Sequence, residues 1–399
     1  MSAVPSQHPH AGAAWVVILA GVAAAMHVAK LPPALPVLQQ QLGIGLVQAG
    51  FLLSLVQLAT MALGIVAGLT ADGIGLKRSM TIGLALLFAA GLAGGWARGA
   101  GTLLALRALE GLGFLLATVP APSLVRRCVP PTQTMRMLGF WGAFMPFGTA
   151  LALLCGPAVL GWAGWPGWWW LIALLSGVMA LAVQARVPAD PPRAAVHADG
   201  WGARLGSTLG CGGPWLAALT FCFYSAQWLA VIGFLPSLYA QSGWGGALGA
   251  VLTALVAAVN IVGNVAAGRL LSAGVAPRTL LWAGFGAMAL GAFLAYGVPT
   301  QHLALPRYAG ALLFSAVGGL IPGSLFALAP RLAPSDRTVS TTVGWIMQWS
   351  ALGQVGGPPL AAWVASRAGG WQLTWVVTGA ACLCGALMAW LIGRRLNAA

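Results

Sequence analysis

Apolar runs punctuated by Gly, Pro or charge recur along the whole chain, near 14–38, 46–70, 79–97, 101–124, 137–160 and 166–186, then near 214–240, 245–270, 279–298, 303–329, 338–364 and 371–393. A helix needs roughly 20 apolar residues to cross the hydrocarbon core of a bilayer, so each run predicts one membrane span. The one long polar segment, 187–213, holds Asp190, Pro191, Pro192, Arg193, His197, Asp199 and Arg204. Its Pro and charge read as a linker between six spans and six. The expected organisation is an N-terminal six-helix bundle at 1–186, a cytoplasmic linker at 187–213 and a C-terminal six-helix bundle at 214–399. The halves also read as repeats: a shift of 200 superposes Pro36 on Pro236, Pro122 on Pro322, Pro130 on Pro330, Arg78 on Arg278 and Arg107 on Arg307, and repeated halves are a transporter signature.

Composition agrees with lipid as the solvent. Of 399 residues, 59% are apolar and 6% charged, whereas about a quarter are charged in a soluble domain. The formal charge of +14 could suggest nucleic acid, but the basic residues come singly or in pairs with no interleaved aromatics. The charge is topological instead: of nineteen Lys and Arg, all but Lys30, Arg98, Arg107, Arg307 and Arg367 fall at loops or ends on one side if both termini are cytoplasmic. Retention of basic loops inside orients the spans with both termini cytoplasmic; the expected setting is a bacterial inner membrane, multi-pass, with a monomer assumed. Cys128, Cys155, Cys211, Cys222, Cys382 and Cys384 show no C-x-x-C pair and no Cys/His cluster at zinc spacing, so they read as packing residues and no metal or cofactor is expected. The segment before the first apolar run lacks Lys and Arg, and the run should stay as a span rather than be cleaved.

Two motifs carry mechanism. Between spans two and three lies Gly68-Leu69-Thr70-Ala71-Asp72-Gly73-Ile74-Gly75-Leu76-Lys77-Arg78, in which Gly68 would allow close helix approach, Gly75 a tight turn, and Asp72 would sit as an anion near a helix N-terminus. Span four holds Arg107-Ala108-Leu109-Glu110-Gly111-Leu112-Gly113, with Arg107 and Glu110 on one helix face. Ionisable groups inside a span are expensive and functional by default. The first stretch resembles the G-x-x-x-D-R-x-G-x-[RK]-[RK] loop of the major facilitator superfamily, with Gly73 where the family has Arg. The second resembles its R-x-x-Q-G-x-G element, with Glu110 for Gln. The resemblance implies an all-α integral membrane fold of twelve helices in two six-helix pseudo-repeat bundles that rock around a central cavity. Leu35-Pro36 and Leu235-Pro236-Ser237-Leu238-Tyr239 are similar to the cyanate and nitroimidazole branch, which implies a small anion. Cys155-Gly156-Pro157 and Trp165-Pro166-Gly167-Trp168 resemble a degraded element of drug antiporters; by themselves they read as a kink and an interfacial aromatic belt.

Candidate solute contacts are the polar groups inside spans. His27 and Lys30 lie in the outer half of span one, and with Arg107 and Arg307 they would give a cavity excess positive charge. Gln57, Tyr224, Gln227, Asn260, Asn264 and Gln348 offer hydrogen bonds, although such groups also join helices. Gly68, Asp72, Gly75, Lys77, Arg78, Arg107 and Glu110 are the candidate coupling or gating set. The reading is a secondary transporter of a small organic anion coupled to protons, with Glu110 or His27 titrating. Proton-coupled multidrug or metabolite efflux is the alternative. No Walker phosphate loop, H-E-x-x-H or paired intramembrane carboxylates occur in the sequence, which argues against ATP drive and against an intramembrane enzyme. The partners expected are the lipid bilayer, an anionic solute and protons.

Overall fold

A computed structural model describes residues 11–190, 201–241, 243–244, 246–335 and 338–398. Ten of its helices are long and apolar enough to cross a membrane. One of them, Phe144–Arg186, is 43 residues long, about 65 Å at 1.5 Å per residue, or twice the roughly 30 Å of hydrocarbon. It is spans five and six joined at Gly164, whose φ of 68° and ψ of 180° break the helix; this φ favours glycine, and Pro166 then restarts the next span. Val339–Ala368, with 30 residues, is long enough to complete the twelve.

Several spans are broken, spans one and four where proline removes a ladder donor. Span one consists of Ala11–Ala29 and Leu31–Leu42, parted at Lys30 because Pro32 and Pro33 have no N–H to offer the carbonyls of Val28 and Ala29. Span two passes through a 3-10 turn, Leu55–Gln57, and span four divides at Val119-Pro120 into Ala100–Thr118 and Ala121–Cys128. Glycine sets how closely span four packs. A Cβ on Gly111 would lie 2.6 Å from the Val56 carbonyl oxygen, and one on Gly113 would lie 2.8 Å from that of Gly83. Helix backbones therefore touch here, as in other small-residue membrane interfaces, and Arg107 is brought within reach of span two.

Spans one to six form one bundle and seven to twelve the other. The ends bearing Lys77, Arg127 and Arg395 share one side, here the basic end: Lys77 Nζ donates to Gln184 O at 2.8 Å, and Arg395 Nη2 donates to Cys211 Sγ at 3.1 Å. Each bundle has its own apolar core, and span seven is shared. Trp228 and Val231 belong to the second-half core, whereas Leu229 and Phe234 pack in clusters drawn mainly from the first half. At the opposite, far end, Phe234 packs with Leu31, Leu35, Leu38 and Ala362, and its ring lies 4.7 Å from that of Trp371. Spans two and eleven also join the halves, where Ile65 N–H donates to Gln348 Oε1 at 2.9 Å. The segment 187–213 contains a helix, Trp201–Gly210, that leads into span seven.

The repeat is visible in side-chain pairing. His27 Nε2 and Ser176 Oγ are 2.9 Å apart between spans one and six, and Gln227 Oε1 accepts from Cys382 Sγ at 3.2 Å between spans seven and twelve. Positions 27 and 227 are again related by the shift of 200.

Candidate functional site

Four ionisable side chains meet at the break in span one. His27, Lys30 and Arg107 have no exposed surface and Glu110 only 1%. Lys30 Nζ donates to Glu110 Oε1, and Arg107 Nη1 donates to Glu110 Oε2 at 2.8 Å. His27 Nδ1 lies 3.3 Å from Glu110 Oε1 and 3.4 Å from Lys30 Nζ. One carboxylate thus serves three basic groups in a medium where an unpaired charge is very costly.

The backbone opened by Pro32 and Pro33 is bound in the same place. Arg107 donates to the carbonyls of His27, of Val28 at 3.4 Å and of Leu52 at 3.2 Å, so its planar fork ties spans one and two to span four. Trp168 Nε1 donates to Lys30 O at 2.8 Å, and Lys30 Nζ lies 4.7 Å from the centre of the Trp169 ring. Trp168 and Trp169 are wholly buried, which corrects the reading of Trp168 as part of an interfacial belt: the two form the wall against which Lys30 rests. Trp165 Nε1, one turn earlier, donates to Gln41 Oε1 at 3.0 Å. Ser176, Trp168 and Trp169 were not legible as site residues, although a Ser in mid-span and Pro-Pro beside a Lys were available signals.

Arg307 does not join this cluster. It is half-buried, and its Nε and Nη1 donate to Ala295 O at 3.0 Å and Gln301 O at 3.4 Å. The shift of 200 misleads because the far-end turn before Ala304–Gly318 is longer than that before Ala100–Thr118. Arg307 is the fourth residue of its helix and Arg107 the eighth of its own, so Arg307 stays a turn nearer the far end. Lys30, Arg107 and Arg307 therefore do not stand together unpaired: the first two share Glu110, and the third is held by backbone carbonyls.

The amides singled out in the second half hold each other. Asn260 Nδ2 donates to Tyr224 Oη at 3.1 Å and to Ser315 O at 2.8 Å, and Asn264 Nδ2 donates to Asn260 Oδ1 at 2.9 Å. Gln227 Nε2 donates to Phe223 O at 3.0 Å. Gln57 is buried on span two. Trp228 Nε1, Thr60 Oγ1 and Thr342 Oγ1 are buried without a hydrogen-bond partner.

The loop between spans two and three has an unexpected anion. The side chain of Asp72 and the surroundings of Gly68 fall outside the described residues. Asp190, just after span six, accepts from the backbone N–H groups of Lys77 and Arg78, each at 3.0 Å, and from Arg127 Nη1 at 2.9 Å. It occupies the N-terminus of span three, where unpaired N–H groups and the helix dipole favour an anion. Gly75 makes room: its φ is +93°, and a Cβ there would lie 2.5 Å from Asp190 Oδ2. Partial burial works against the Asp190 charge, but the two backbone N–H groups and the Arg127 guanidinium outweigh it and hold the carboxyl below its ordinary range. A depressed folded value means that the contact stabilises fully above the unfolded pKa of about 3.9 and is lost as pH falls through the folded value. Asp190→Asn is expected to lower stability by about 1 kcal/mol at neutral pH, with the deficit vanishing in strong acid. Thermal unfolding of the purified protein across pH checks this; a deficit independent of pH would count against it.

Two six-span bundles around a seam, one of them holding ionisable side chains away from lipid, define a membrane transporter. Residues 16–355 match the sequence profile of the Major Facilitator Superfamily, and the chain belongs to that superfamily. An uncharacterized MFS-type transporter of Mycobacterium tuberculosis is 32% identical over 157 residues, 39% of this chain and 27% of its own length. The puromycin resistance protein of Streptomyces alboniger is 27% identical over 335 residues, 80% of this chain and 62% of its own length. This chain thus spans less than two thirds of the length of either curated relative. A crystal structure of a bacterial homologue of the human lysosomal transporter Spinster, described as inward-facing and occupied, shares the fold with a TM-score of 0.78 at 16% identity, over 98% of each chain.

Proposed function

We propose that this protein exports amphiphilic, drug-sized organic molecules by alternating access, driven by a proton gradient through the Lys30–Glu110–Arg107–His27 cluster. The observation that carries the reading is the cluster itself: four ionisable groups inside one bundle, cut off from water, at a break in span one. Exchange of a proton there requires a second arrangement of the bundles that admits water, which is what links charge to rearrangement. The resistance relative supports a drug-like solute. The buried, unpartnered Trp228 indole on the shared span offers a hydrogen bond beside a large apolar surface, as suits aromatic solutes. A small organic anion loses its support, because the basic groups that would attract it already have partners. The bundles at 1–186 and 214–399 are read as the rocking units and 187–213 as their linker, in a bacterial inner membrane with both termini and the basic end cytoplasmic.

Transport in proteoliposomes tests this reading. With an imposed pH gradient, puromycin and a lipophilic cationic dye are expected to move uphill, and collapse of the gradient should stop them. Flux of carboxylate or cyanate-like anions alone, or dye flux indifferent to the gradient, would overturn it.

A further inference from the structure

We propose that the basic end of spans nine and twelve holds an anionic phospholipid headgroup between Arg278 and Arg394. The two spans are Pro277–Tyr296 and Thr374–Ala398, and they run antiparallel, so residues 116 positions apart in sequence meet at the same depth. A Cβ built on Gly393 would lie 3.0 Å from Arg278 Cδ, which places the Arg278 side chain against the backbone next to Arg394. Each guanidinium is stacked on an indole one turn deeper on its own helix: Arg278 over Trp282 and Arg394 over Trp390, both at 4.9 Å from the ring centre. Trp282 Nε1 also donates to Ala386 O at 3.0 Å, fixing one indole to the other helix.

The site is built but lacks a counter-ion. Among the described residues neither guanidinium has a carboxylate or hydrogen-bond partner, whereas neighbouring Arg395 turns away to Cys211. Both arginines are exposed. Stacking on an indole orients a guanidinium while leaving its N–H edge free, and that edge matches a phosphate bidentately.

The surface beneath suits acyl chains rather than a soluble phosphate. On span twelve, Leu383, Leu387, Trp390 and Arg394 recur at helical spacing along one face, and the two leucines are 76% and 53% exposed. On span nine, Leu290 is 53% exposed two turns below Trp282. Two apolar tracks thus lead to paired cations at the level where headgroups lie, the arrangement expected for anionic lipid between helices.

Native mass spectrometry and thermal unfolding of the full chain, with added phosphatidylglycerol, phosphatidylcholine or soluble glycerol phosphate, test this. Wild type is expected to retain phosphatidylglycerol on the order of tenfold more tightly than phosphatidylcholine, and Arg278→Gln/Arg394→Gln to lose that preference while unfolding normally in phosphatidylcholine. Arg269→Gln, an exposed basic-end arginine without an indole beneath it, should keep the preference. The proposal is overturned if the double variant still prefers phosphatidylglycerol, if Arg269→Gln loses as much, or if glycerol phosphate stabilises the protein as well as the lipid does.

Discussion

Glu110→Gln is expected to abolish gradient-driven transport and to lower the stability of the folded protein by about 3–5 kcal/mol, because removing one partner of a buried ion pair strands the other. Here two partners are stranded, Lys30 and Arg107, neither with exposed surface. The double change Lys30→Met/Glu110→Gln restores the original charge balance and should recover about half of the lost stability, since a balanced apolar replacement of a buried pair is often nearly neutral while Arg107 still lacks its carboxylate. It should not recover uphill transport, because the exchangeable carboxylate is gone. Thermal unfolding separates the two effects from a proteoliposome flux assay. A single variant as stable as the parent would show that Glu110 is not the counter-ion, and uphill transport by the double variant would remove the cluster from coupling.

Arg107→Lys is expected to be almost as damaging, although it keeps the charge. An ammonium group can still face Glu110, but it cannot also reach the carbonyls of His27, Val28 and Leu52 held by the guanidinium. Loss of such charged hydrogen bonds costs on the order of 3 kcal/mol. Pro32→Ala supplies the missing ladder donor to Val28, so the same Arg107→Lys change should be milder in that background. A double-mutant cycle measures the coupling; strict additivity would mean that Arg107 does not support the opened backbone.

Most of the span positions were legible because lipid imposes one rule on every segment: a helix long enough to cross and apolar enough to stay. Arg107 and Glu110 were legible for the same reason, since ionisable residues stand out in an apolar run. What sequence spacing could not supply was partnership across spans. Asp190 reads as part of a polar linker, yet it caps span three from more than a hundred residues away. Arg307 matches Arg107 by a constant shift, but unequal turns break the register. The Trp-rich stretch after Gly164 has the composition of an interfacial belt, and only the reversal at Gly164 turns Trp168 and Trp169 inward onto Lys30. Excess positive charge counted along the chain likewise carries no information about which groups are already neutralised, as Lys30 and Arg107 are by Glu110.

The two pieces of span one answer to different neighbours. Ala11–Ala29 ends among the ionic groups, whereas Leu31–Leu42 lies against Phe234 of span seven at the far end. Lys30 is therefore the pivot pin of a lever with one arm in the first bundle and the other on the door between bundles. On the proposed proton-coupled reading, a hydrogen ion that loosens the pin would shift the latch without having to touch it.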